Sequence, residues 1–245
     1  MSILFFLLPL AGFLLGSIPF GLYISRARGI NIREHGSGNI GATNVFRVVG
    51  AGPGLLCFLL DVLKGAIPVL LAVNILGVMG KDPLTQWDFL ASWRTMFPVE
   101  QRTLVQAIHV ITGLAAVLGH NYSPWAGFKG GKGIATTAGV LFALMPVATC
   151  ILLVVWAVLT FTTRYVVVGS VGAALALPLI VLWGAHHHKV DDSDPASLSL
   201  WESGTYNKPL LIFAIVASAL AVYKHKANLV RLVNGTENRF GKKKG

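Results

Sequence analysis

Charge is scarce in this chain. Of its 245 residues only 12% are charged, against about a quarter in an ordinary soluble domain. Hydrophobic residues make up 54%, and mean hydropathy is +0.68. These values exclude a typical soluble globule and point to a polytopic membrane protein. Cysteine is scarcer still: Cys57 and Cys150 both sit in apolar runs, which excludes a disulfide framework and gives no thiolate site. Acidic residues number 10 against 20 basic ones. The cations lie between apolar runs and at the C-terminus, where they report topology and anionic-lipid contact. They form no soluble basic face, so nucleic-acid binding is excluded. No internal repeat is visible, and with it goes the inverted-repeat signature of many transporters. No Lys or Arg precedes the first apolar run, whose first cation is Arg26. A signal peptide wants a basic start, so this run is expected to be a retained transmembrane helix.

What is present is a series of apolar runs near 3–24, 53–79, 104–119, 166–184 and 209–223, with a further one from Ile134 to Phe161. The loop 25–50 sets Arg26, Arg28, Arg33 and Arg47 against Glu34, and the tail from Lys224 is strongly basic. The loop 185–208 carries Asp191, Asp192, Asp194 and Glu202. The positive-inside rule then puts the N-terminus outside, with loop 25–52, loop 119–133 and the tail 224–245 cytoplasmic. The segments 80–103 and 185–208 fall on the opposite side. The glycine-rich loop and the tail share a side only if the chain crosses an even number of times between them. Pro146 removes a backbone donor in the middle of the long apolar region, so 134–162 is predicted to turn there, as two short spans or a re-entrant hairpin. The expected fold is all-α: a single transmembrane domain, residues 1–245, of about seven helices with a cytoplasmic C-terminus.

Three polar stretches gather on the cytoplasmic side: "EHGSGNIGATNVFR" (34–47), "GHNYSPWAGFKGGKGIATT" (119–137) and "KHKANLVRLVNGTENR" (224–239). Singly, each reads as a helix connector. Together, each supplying a cation on one face, they read as an anion site. Gly130, Gly131 and Gly133 can turn backbone N–H groups toward one point, and a helix starting near Ile134 adds its positive dipole end. Lys129 and Lys132 supply full charges. A nucleotide P-loop is excluded, because Ala126 stands at its first glycine and Gly133 at its Ser/Thr. His186 with Asp191, and His187 with Asp192, match an H-x-x-x-x-D acyltransferase spacing. In a His run beside aspartates, on the opposite side, they read as surface. Asp61 and Lys64, three apart, read as a buried same-face pair that fixes helix packing.

The three stretches resemble the PlsY family of bacterial acyl-phosphate–glycerol-3-phosphate acyltransferases. "GSGNIGATNVFR" is similar to the first family motif and places its functional serine and arginine on Ser37 and Arg47. "GHNYSPWAGFKGGKGIAT" is similar to the second, the glycerol-3-phosphate loop, with Lys132 at the substrate phosphate and His120 among the substrate-binding candidates. "HKANLVRLVNGTE" is similar to the third: the histidine and asparagine fall on His225 and Asn228, and a structural glutamate on Glu237. "DVLKG", carrying Asp61 and Lys64, also resembles a family feature. The chain departs from the family at "RYVVVGS", where Val166 and Val167 replace serines and Ser170 follows.

The resemblance implies acyl transfer from acyl phosphate to the 1-position of glycerol-3-phosphate, giving lysophosphatidic acid and inorganic phosphate in phospholipid biosynthesis. An acyl phosphate is already activated, so no metal, cofactor or covalent enzyme intermediate is required. Arg47, Lys132 and Lys129 offset the repulsion of two phosphate-bearing substrates. Ser37, Asn39, Thr43 and Asn44 offer neutral hydrogen bonds. Either His225 or the substrate's own phosphate takes the proton; alternatively His225 orients Asn228 or binds phosphate. The partners implied are the two substrates, membrane lipid and a soluble enzyme that makes the acyl phosphate, for which the basic tail is a candidate surface. The implied location is the bacterial inner membrane, with chemistry at the cytoplasmic face. The competing class is a membrane transporter for an organic phosphate or other small anion.

Overall fold

The computed structural model describes residues 2–80, 86–187 and 208–239. The chain falls into two compact units, residues 1–144 and 145–245. Unit 1 holds α1 (Leu4–Gly16), α2 (Phe20–Arg26), α3 (Ala42–Val48), α4 (Ala51–Ile75), α5 (Arg102–Asn121) and α6 (Ile134–Leu144). Unit 2 holds α7 (Pro146–Thr163), α8 (Val166–His187), α9 (Lys208–Lys224) and α10 (Lys226–Val233). Among the described residues, five helical segments are long and apolar enough to cross a membrane: Leu4–Arg26, Ala51–Ile75, Val99–Ala126, Pro146–Thr163 and Val166–Trp183. Lys208–Lys224 with Lys226–Val233, bent by 53°, make a sixth when taken as one span.

The region around Pro146 departs from two matching arms. The break does fall there: Met145 leaves helical geometry and Pro146 opens α7 at its first position, where its missing N–H costs nothing. But α6 has 11 residues and α7 has 18. At 1.5 Å per residue α6 reaches only about 16 Å, half of a hydrocarbon core, while α7 reaches about 27 Å. The all-α expectation also needs a small correction. Leu76–Val78 (β1) and Thr95–Phe97 (β2) pair in parallel, Leu76 opposite Thr95. Strands of three residues carry no alternation long enough to be read from sequence.

Unit 1 is packed by small residues. Helix α1 lies on α5, and α4 lies on α6. A methyl at Gly12 would come within 2.6 Å of the Thr112 carbonyl, and one at Gly16 would strike the backbone of Ala116. Across the second pair, methyls at Gly65 and Gly139 would strike the carbonyls of Thr136 and Val62. In lipid, association gains little from the hydrophobic effect, so close backbone approach through such residues supplies the packing. At the loop end, Leu22, Ile32, Ile40, Val45, Cys57 and Ala126 form one buried cluster, which anchors both polar loops of this unit to the helices beneath.

Unit 2 uses the same device where α7 meets α8. Gly169 lies against Thr160 and Gly172 against Leu159, while the Trp156 indole donates to Ser170 Oγ at 3.3 Å. Ser218 on α9 donates to the Ala174 carbonyl of α8.

Gly139→Val should overpack the α4–α6 contact and destabilise the protein by about 1–3 kcal/mol, read as a lowered thermal midpoint in detergent. An unchanged midpoint would mean that the two helices separate without cost.

Candidate active site

The first polar loop is organised around one asparagine. Asn44, 2% exposed, donates from Nδ2 to the carbonyls of Asn39 at 3.0 Å and His35 at 3.1 Å, with a longer contact to Ile32. Its Oδ1 accepts from the Ser37 N–H at 2.9 Å. Asn44 is therefore spent on holding the loop. Asn39 also turns inward, accepting from the Gly41 N–H at 2.8 Å. Ser37, Thr43 and Arg47 are exposed, with Arg47 in the last turn of α3. The loop thus presents a hydroxyl pair and a guanidinium outward, on a frame made by Asn39 and Asn44.

The glycine loop leaves α5 at Asn121 and reaches α6 at Ile134. Gly127 and Phe128 both take left-handed backbone, with φ of 61° and 58°. For phenylalanine that conformation is costly, and the Phe128 N–H bond to the Ser123 carbonyl at 2.8 Å holds it. Gly133 has φ 82°, a turn that glycine alone makes without strain, directly before α6. Gly130 and Gly131 donate their N–H groups back to the carbonyls of Asn121 and His120, at 3.2 and 3.1 Å. Lys129 is exposed and Lys132 half-buried. The helix expected near Ile134 begins there, so its dipole end and both lysines share one short segment.

One side chain joins the two loops. Arg33 Nη2 donates to the Ala126 carbonyl at 2.7 Å and the Lys129 carbonyl at 2.9 Å. The structure therefore brings the Ser37–Arg47 loop and the Lys129–Lys132 loop together, through a residue that in the sequence shows only as one topology-setting charge among several. Its acceptors are main-chain oxygens, which leave no mark in a sequence.

Beneath the glycine loop lies a buried polar cluster. Lys64 and Asp61 pair at 2.8 Å, both side chains 3% exposed. Lys64 Nζ also donates to the Ile18 carbonyl at 2.7 Å, at the break between α1 and α2. Next to it the Ser17 carbonyl accepts from Ser123 Oγ, and Ser17 Oγ accepts from the Trp125 indole at 3.0 Å. His120 Nδ1 stands 3.6 Å from Asp61 Oδ1. A narrow pocket is lined by Ser17, Phe20, Gly21, Asp61, Lys64 and His120 among others.

In unit 2, His225 is buried at the junction of α9 and α10. Its Nδ1 lies 2.8 Å from the Ala221 carbonyl. A carbonyl can only accept, so Nδ1 carries the hydrogen and a neutral ring keeps its lone pair on Nε2. Glu237 bridges two residues: Oε1 accepts from Asn228 Nδ2 at 3.0 Å, and Oε2 from Arg231 Nε at 2.9 Å. Arg231 is a second residue absent from the sequence expectations; its six-residue spacing from Glu237 crosses the end of α10. Arg239 donates to the Tyr165 hydroxyl at 3.0 Å. Val167 and Ser170 are buried, Ser170 against Trp156. The His186/Asp191 and His187/Asp192 matches involve side chains outside the described residues.

Arg33→Met should release the glycine loop while leaving the helices intact. Trypsin cleavage after Lys129 in the detergent-solubilised protein is expected to rise at least about tenfold, since both charge-assisted hydrogen bonds of Arg33 are lost. Unchanged cleavage would show that the clamp contributes nothing.

Known proteins resemble the chain along nearly its whole length. Residues 6–235 match the profile of the glycerol-3-phosphate acyltransferase family. The chain is 38% identical to a glycerol-3-phosphate acyltransferase of Aquifex aeolicus, covering 95% of this chain and 97% of that one. It is 37% identical to another from Chlorobaculum tepidum, covering 98% of each. A crystal structure of PlsY, an integral membrane glycerol 3-phosphate acyltransferase, in its glycerol 3-phosphate form superposes with a TM-score of 0.73 at 35% identity, covering 97% of this chain and 96% of that one. The lysophosphatidic acid form of PlsY gives 0.71 at 34% identity. On these grounds the chain belongs to the glycerol-3-phosphate acyltransferase family.

Proposed function

We propose that this chain transfers an acyl group from an acyl phosphate to the 1-hydroxyl of glycerol-3-phosphate, releasing 1-acyl-glycerol-3-phosphate and inorganic phosphate. The observation that carries the reading is the junction made by Arg33, which sets the Ser37–Arg47 loop against the Lys129–Lys132 loop. Two cationic loops held together in this way suit two phosphate-bearing substrates. The neighbouring crystal structures of PlsY, in glycerol 3-phosphate and lysophosphatidic acid forms, support the same substrate and product.

The chemistry is an attack by the substrate hydroxyl oxygen on the acyl carbonyl carbon. A new C–O ester bond forms, the carbonyl–phosphate C–O bond breaks, and the phosphate leaves with the electron pair. The hydroxyl proton goes to His225 Nε2 or to a substrate phosphate oxygen. His225 comes to this role from the family resemblance; its Nδ1–H rests on the Ala221 carbonyl, and a neutral ring of that tautomer has its lone pair on Nε2. Arg47 engages phosphate oxygens with a planar fork, and Lys132, with Lys129, holds the glycerol-3-phosphate phosphate beside the dipole end of α6. Ser37 and Thr43 donate hydroxyls to phosphate or glycerol oxygens. Asn39, Asn44 and Glu237 serve as frame, the first two for the loop before α3 and the last for Asn228.

In this reading the protein sits in the bacterial inner membrane with about seven helices, α6 among them as a short partial span. The N-terminus is outside, and the loops 25–52 and 119–133 and the tail from Lys224 are cytoplasmic. The acyl chain stays in the bilayer during transfer. A soluble enzyme making the acyl phosphate would meet the basic cytoplasmic side.

Purified protein in detergent should release inorganic phosphate only when glycerol-3-phosphate and an acyl phosphate are both present, and not with an acyl thioester. Arg47→Lys should lower kcat/KM by at least about tenfold with unaltered thermal stability, because an ammonium cannot reproduce the fork. Turnover close to the unaltered enzyme would remove Arg47 from the mechanism.

A further inference from the structure

We propose that His120 is a positioning residue that carries the fixed placement of the buried Asp61–Lys64 pair into the glycine loop, and so sets affinity for glycerol-3-phosphate without touching it. This rests on the acyl-transfer reading above for its substrate, though not for its geometry.

Three observations converge. The first is anchorage on the α4 side. Asp61 Oδ1 is held at 2.8 Å by Lys64, which is itself fixed to the Ile18 carbonyl at 2.7 Å. His120 Nδ1 stands 3.6 Å from that same oxygen, and the ring is 5% exposed. A buried pair of this kind has little freedom to move, because either charge leaving its partner would stand unpaired in an apolar surround.

The second is the opposite edge of the ring, which abuts the loop. A methyl built on Gly131 would run into His120 Nε2. Gly131 does not have the positive φ of Gly127 and Gly133, so its backbone does not demand glycine. What demands it is the imidazole. The ring is a wedge seated between a carboxylate and a main-chain surface.

The third is that main chain reinforces side chain. Gly131 N–H donates to the carbonyl of His120 itself at 3.1 Å, and Gly130 N–H to that of Asn121 at 3.2 Å. The residue holding the wedge therefore also holds the loop amide, and Lys132 follows immediately. Any shift of the ring relative to Asp61 moves the segment bearing Lys132, with consequences for binding more than for the acyl-transfer step.

The test uses the full chain in detergent, with His120→Ala, Gly131→Ala and the double variant. Each single variant is expected to raise KM for glycerol-3-phosphate about tenfold, with kcat within about twofold. The double variant should be no worse than His120→Ala alone, because removing the ring removes the clash; singles that share one contact do not add. Amide exchange across 128–133 in the substrate-free protein should quicken about tenfold in all three, with the helices unaffected. If His120→Ala raises KM while exchange of the empty protein stays as it was, His120 is a ligand and the proposal falls. Multiplied KM effects in the double variant, or quickened exchange throughout the helices, overturn it equally. Should His120→Ala fail to fold, Gly131→Ala decides alone through its exchange rate. Absence of turnover by the unaltered protein would sink the acyl-transfer reading, while the exchange data would still judge the coupling.

Discussion

Unit 1 depends on the ion pair between Asp61 and Lys64. Charges inside an apolar helix survive only when paired and hydrogen-bonded, and this pair recruits its partners from three other places in the chain. Ile18 supplies a carbonyl at the break between α1 and α2. His120 approaches from the end of α5. Cys57, one turn earlier on α4, directs its thiol at Asp61. One interaction therefore ties a helix break, a helix end and the root of a loop to a single point. The carbonyls freed by the break at Ser17 and Ile18 are taken up by Ser123 and Lys64, so the interruption of the first span is itself part of the frame.

Above that point the two polar loops divide their labour between frame and display. Asn44, Asn39 and Arg33 bind main chain. Ser37, Thr43, Arg47, Lys129 and Lys132 face outward or half outward. In unit 2 Glu237 grips Asn228 and Arg231, and His225 is fixed by the Ala221 carbonyl. Such framing lowers the reorganisation needed when anions bind, which is how preorganised sites stabilise developing charge.

Much of this was legible in the sequence, and the parts that were not share a cause. The apolar runs fixed the spans within a few residues, the glycine loop foretold the start of α6, and the i,i+3 spacing foretold the pair on α4. Pro146 marked the break. The unequal lengths of α6 and α7 were hidden, because an unbroken apolar run does not say how far each arm continues. Arg33 was hidden because its partners are carbonyls of Ala126 and Lys129, which any residue would offer. Asn44 read as a possible ligand, since nothing in "GATN" tells whether an amide faces its own loop or the outside. Residue type announces capacity for chemistry; direction is settled only by packing.

The contacts at Gly16, Gly65 and Gly139 have an evolutionary corollary. The obstacle facing each is main chain, not a side chain. A crowding side chain can be trimmed by a second mutation in the neighbouring helix, but a peptide unit cannot. These positions therefore lack local suppressors, and any lineage that gains a methyl there must relocate a whole helix. The helix register of unit 1 should accordingly drift far more slowly than the lipid-facing residues around it.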